Sequence, residues 1–75
     1  MDNFEIVKKI RKTRIEQGKT QRYIADLLSM AVQTYSDIEH GRNQLKAADL
    51  FIIAEVLGKP VEYFYYSDDV ANLDD

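Results

Sequence analysis

Seventy-five residues make one small domain, near the lower size at which a chain folds unaided, and the absence of cysteine excludes a disulfide framework. Hydrophobic residues at 45% and charged ones at 31% describe a globular chain rather than a disordered one, and no apolar run approaches the roughly 18 residues of a membrane span. The net charge of -3 hides a split, because residues 1–46 hold nine Lys/Arg against six acids while residues 47–75 hold Lys59 against seven. A basic half of that kind suits a protein that turns one side to an anion, and an ordinary solvated surface with an acidic end explains it equally well. Residues 1–5 lack the basic-then-apolar layout of a secretory signal, so a cytoplasmic location is the simplest expectation.

In chain order, Asn3 is placed to cap a first helix over residues 4–17, in which Phe4, Val7, Ile10 and Arg14 recur at helical spacing and which Gly18 ends. Lys8, Lys9, Arg11 and Lys12 fall on its outer faces, as a solvated side or a phosphate-facing one. Thr20 is an N-cap whose oxygen suits the free N–H groups of Arg22 and Tyr23. It opens a second helix over 21–28, with Ile24, Ala25 and Leu28 on one face. After a break at Ser29 and Met30, a third helix over 32–39 puts Ala31, Tyr35 and Ile38 inward and is closed by Gly41. Its other face carries Val32, Gln33, Ser36, Asp37 and His40 in i, i+4 rows, which is polar rather than apolar.

Leu50, Phe51, Ile53, Ala54 and Leu57 mark a fourth helix over 47–57, stopped by Gly58 and apolar over more than half its circumference. Such a helix is central to a core or shared between subunits. Pro60 suits the first turn of a fifth helix over 60–66, dense in aromatics at Tyr63, Phe64, Tyr65 and Tyr66. Two of those four should remain exposed, as aromatics at protein interfaces do. The remaining 67–75 is acidic and reads as a flexible tail, so the ordered domain is 1–66. The predicted architecture is all-α with five helices.

Gly18, Thr20 and Gln21, the Ile24-Ala25 pair, the Ile38-Glu39-His40-Gly41 exit and the 54–58 segment AEVLG stand together at fixed spacing. In that set the chain resembles the Xre/Cro-type helix-turn-helix family, the lambda-repressor-like DNA-binding domains, over about residues 6–64. The resemblance implies that the second and third helices form the helix-turn-helix, with the third entering the major groove of double-stranded DNA. Base contacts then fall to Val32, Gln33, Ser36 and Asp37. A carboxamide at Gln33 pairs with adenine N6 and N7, Val32 meets a thymine methyl, and Asp37 either repels phosphates or accepts from a cytosine N4 amine. Backbone contacts are implied for Thr20, Gln21, Thr34, His40, Arg42, Asn43, Gln44 and Lys46.

The same family pattern makes Ala25 a close helix crossing and pairs Arg14 with Glu39 as a partly buried structural ion pair. It also implies a transcriptional regulator, most simply a repressor on a palindromic operator, acting as a homodimer through Tyr63, Phe64, Tyr65 and Tyr66. The alternative is a protein-interaction module on the same fold, antitoxin-like or partner-binding, that uses the acidic aromatic C-terminal third. An enzyme is not expected, since there is one histidine, no cysteine and no phosphate-cradling glycine loop. No metal and no cofactor is implied.

Several residues depart from the family pattern. Ser29 stands where glycine is common in the turn, and a left-handed serine costs roughly 1 kcal/mol. Ala31 and Lys46 stand where Ser or Thr caps a helix. Thr13 and Lys19 replace leucine, and Tyr35 brings a buried hydroxyl that needs a partner.

Overall fold

The computed structural model describes residues 3–65. Five helices follow one another with no strand among the described residues: α1 (Asn3–Glu16), α2 (Gln21–Leu27), α3 (Val32–Glu39), α4 (Ala47–Val56) and α5 (Glu62–Tyr65). The principal packed pairs are α2 on α3, and α1 on both α3 and α5. One apolar core joins all five, built from Ile10, Ile24, Ala25, Tyr35, Leu50, Ile53, Ala54, Leu57 and Phe64. Ala25 is fully buried, as the close crossing of α2 requires. Among the described residues no helix is long and apolar enough to cross a membrane.

The first four helices stop in the same way. At each C-terminus the second residue past the cap donates its N–H five residues back and the one before it donates three back: Lys19 to Arg14 and Gly18 to Ile15, Met30 to Ala25 and Ser29 to Asp26, Arg42 to Asp37 and Gly41 to Ile38, Lys59 to Ala54 and Gly58 to Glu55. This double bond satisfies carbonyls that a helix end leaves free, and it needs a left-handed residue at the pivot. Three pivots are glycine; the fourth is Ser29, at φ 57. The turn therefore keeps the usual geometry and bears the strain of a side chain there.

Several expectations need correction. Phe4 does not join the core; it is 56% exposed and lies over Gly41, where a Cβ would sit 3.5 Å from its ring. Thr13, by contrast, is buried, with its hydroxyl donating to the Lys9 carbonyl at 2.8 Å. Asn3 belongs to α1 itself, and its Oδ1 accepts the Leu45 N–H at 3.3 Å, tying the helix start to the loop before α4. Ala31, expected inward, is exposed at the N-cap of α3; as their residue types imply, neither it nor Lys46 before α4 makes a side-chain cap. Phe51 of α4 points outward at 60% exposure, so the helix buries Leu50, Ile53 and Ala54 and leaves part of its apolar surface open.

α5 begins two residues later than Pro60 suggests, because the Pro60 and Val61 carbonyls first accept from Tyr63 and Phe64 in tight three-residue steps. Phe64 is 1% exposed and belongs to the core, which removes it from any surface available to a second copy. Tyr63 is half-buried, edge-on to Phe64, with the ammonium groups of Lys9 and Lys59 at 4.4 and 4.7 Å from its ring centre. Lys9 thus packs on an aromatic of its own chain. Tyr65 is 39% exposed, while Tyr66 and the 67–75 segment lie outside the described residues.

Candidate nucleic-acid interface

The surface of interest is the outer side of α3 and the loop after it. Its rigidity comes from beneath. Thr20 caps α2 through Oγ1, which accepts the Tyr23 N–H at 3.0 Å, and Arg22 takes no part in that cap. The Ser29 turn then delivers the chain to Val32, and Tyr35, Ile38 and Glu39 face the core.

Glu39 is the polar anchor of this arrangement. Its carboxylate accepts Arg14 Nε at 2.7 Å, Arg14 Nη2 at 3.1 Å and Gln21 Nε2 at 3.1 Å. Arg14 also donates Nη1 to the Lys19 carbonyl at 2.7 Å, so one guanidinium joins α1, the loop before α2 and the end of α3. The ion pair is sequestered, with side-chain exposures of 10% and 1%. Burial by itself would raise the Glu39 carboxyl; the hydrogen bonds from Arg14 and Gln21 outweigh it and hold the group below its ordinary value. The hydrogen bond to Glu39 raises Arg14 in turn, against its own burial.

Tyr35 stands beside this pair with its ring fully buried. Its hydroxyl is close enough to Glu39 and Arg14 to feel their charges, yet it makes no hydrogen bond of acceptable geometry. Burial is the main reason its phenol is pushed up, with Glu39 adding to it. The hydroxyl that sequence flags as needing a partner is left unsatisfied.

On the outer side, Val32, Gln33 and Thr34 are exposed, and Ser36 and Asp37 are half-buried. Gln33 Nε2 donates to Asp37 Oδ1 at 3.1 Å, one turn along α3. Arg42 Nε donates to the same oxygen at 3.1 Å from beyond Gly41. His40 Nδ1 lies 2.8 Å from the Ser36 carbonyl, and since a carbonyl only accepts, Nδ1 carries the proton in this arrangement. Asn43, Gln44 and Lys46 are exposed in the loop. Gln21 is half-buried, and its bond to Glu39 brings the start of α2 to the end of α3. One Nε2 hydrogen remains for another acceptor.

Sequence reasoning treats Asp37 as a lone acid on an anion-facing surface and misses its pairing with Arg42. The signal was present in the pattern around Gly41: in this type of helix end the third-last position and the second residue past the cap meet, and here they are Asp37 and Arg42, of opposite charge. Gln17 was missed as well. Its Nε2 caps the Leu57 carbonyl of α4 at 2.8 Å, a contact across 40 positions that no local pattern announces.

A family model described as helix-turn-helix matches residues 10–64, from the second half of α1 through α2, α3 and α4 into α5. The chain belongs to the Xre-like helix-turn-helix family. An uncharacterised HTH-type transcriptional regulator of Rickettsia conorii is 29% identical over 72 residues, which is 96% of this chain and 57% of that protein. The chain thus spans little more than half the length of this curated relative. No solved structure matches it.

Proposed function

We propose that this chain is a sequence-specific double-stranded DNA-binding transcriptional regulator that lays α3 in the major groove. The observation that carries the reading is the outer side of α3: Val32 and Gln33 stand exposed at its start, and Arg42, Asn43, Gln44 and Lys46 stand exposed just past its end. Gln33 reads adenine through its carboxamide, Val32 meets a thymine methyl, and Ser36 lies beside them on the same face. Thr20, Gln21, Thr34, His40, Arg42, Asn43, Gln44 and Lys46 hold the phosphate backbone and fix the register. Arg14 and Glu39 act from inside, by keeping α1, α2 and α3 in one relative placement. The regulator is a repressor that binds a palindromic operator as a homodimer, with half-sites about 34 Å apart.

Selection of bound sequences from a random duplex pool tests this directly. Enrichment of a palindrome, with affinity that falls steeply as salt rises, supports the reading; no enrichment, or a complex indifferent to salt, sinks it. A second reading, a partner-binding or antitoxin-like module that acts through the C-terminal third, draws on the exposure of Phe51, Ile52 and Tyr65. Sedimentation separates the two: a strict monomer that enriches no DNA selects the second.

A further inference from the structure

Two of the side chains assigned to DNA meet at one atom, Asp37 Oδ1. Gln33 Nε2 reaches it from one turn earlier in α3, and Arg42 Nε reaches it from beyond the helix end, each at 3.1 Å. The backbone doubles the second tie, since the Asp37 carbonyl accepts the Arg42 N–H at 2.8 Å and the Asn43 N–H at 3.2 Å.

A carboxylate can only accept, so the bond to Gln33 selects one of the two flips of the carboxamide: Nε2 toward Asp37, Oε1 away from it. That leaves one N–H and the oxygen of Gln33 for an outside partner. An N–H for N7 and an oxygen for the N6 amine are what adenine asks of a bidentate partner. With no acid beneath it, the amide is free to turn both of its N–H groups outward, which matches the N7 and O6 acceptors of guanine instead. Arg42 is held through Nε alone, so its two terminal nitrogens stay available for a phosphate, and its charge offsets that of Asp37.

We propose that Asp37 is a positioning residue of the recognition surface, which touches no base itself but holds Gln33 in the flip that prefers adenine to guanine and keeps Arg42 within reach of the backbone. This rests on the DNA-binding reading above.

The experiment has two arms. In the free protein, Asp37→Ala should move the side-chain amide resonances of Gln33 and the Nε–H resonance of Arg42, with helical circular dichroism unchanged; resonances that stay put overturn the proposal whatever DNA does. On an operator selected by the wild type, Asp37→Ala should relax adenine toward guanine at the base pair that Gln33→Ala also relaxes. The double variant should then be no worse than Gln33→Ala alone, at least about threefold short of the product of the single effects. Asp37→Asn, whose carbonyl still accepts from Gln33, should keep most of the adenine preference. Loss of a cytosine preference at a different base pair, multiplying with Gln33→Ala, would make Asp37 a base reader and overturn the proposal. If the wild type enriches no DNA, the DNA-binding reading fails and the proposal falls with it, even though the spectral shifts would still report the contacts.

Discussion

Replacing Glu39 by Gln keeps the shape of the buried anchor and removes its charge. The wild-type carboxylate accepts three hydrogen bonds, two from Arg14 and one from Gln21, at 1% side-chain exposure. A glutamine offers one oxygen and an NH2 group, so at least one of those donors faces another donor. Arg14 stays anchored to the Lys19 carbonyl, but its charge, with the residue 8% exposed, loses its counter-ion. Removing one member of a buried pair costs about 3–5 kcal/mol. A domain of this length has on the order of 4–11 kcal/mol in total, so the variant should lose at least about a quarter of its stability and melt at least about 12 °C lower. Urea unfolding followed by helical circular dichroism measures it. Arg14→Met with Glu39→Met should recover at least half of the loss, because the cost lies mainly in the orphaned charge rather than in the absence of the pair. A loss below about 1 kcal/mol for Glu39→Gln would show that the pair is hydrated and worth no more than a surface bridge, and would refute the reasoning.

The same pair sets a pH dependence. Glu39 is held below its ordinary value of 4.5, so its contribution is complete above that value and is lost as pH falls through the lower folded one; the acid limb of wild-type stability should flatten in Glu39→Gln, and parallel curves would contradict this. Ser29→Gly should gain about 0.5–1 kcal/mol in the same urea assay by relieving the left-handed backbone at φ 57; a loss would mean the turn relaxes in solution. Tyr35→Phe deletes a buried hydroxyl with no hydrogen-bond partner and should be neutral or stabilising by up to about 1 kcal/mol, whereas destabilisation beyond that would reveal a bond to Glu39. On selected DNA, Gln33→Ala should relax preference at one base pair by about 1–3 kcal/mol. Arg42→Ala should weaken all sequences alike and lower the salt slope by about 1; exchanged outcomes would reverse the assigned roles.

The helices were legible because their ends are written locally. Gly18, Gly41 and Gly58 supply the left-handed pivots and Thr20 supplies a cap, so the boundaries fall within two residues of those the spacing predicts. The positions that went astray are those where periodicity leaves a choice of neighbours. Phe4 has helical spacing with Val7 but lies outside the core over Gly41, and of Tyr63, Phe64 and Tyr65 it is Phe64 that is fully buried in the core. No local rule ranks Tyr63, Phe64 and Tyr65 against each other; the packing of α5 on α1 does, and it also puts Lys9 over the ring of Tyr63.

By itself, then, the order of residues determined the five helices, the polar outer side of α3 and the family to which these belong, because propensity, capping and periodicity act over a few positions. Only the tertiary structure decided which polar atoms share a partner. Glu39 gathers Arg14 and Gln21 from 25 and 18 positions away, and Gln17 reaches the Leu57 carbonyl across 40. A hydrogen bond is settled by distances of a few tenths of an ångström and by the direction of the donor. Those are set when the helices pack, after the local pattern has had its say.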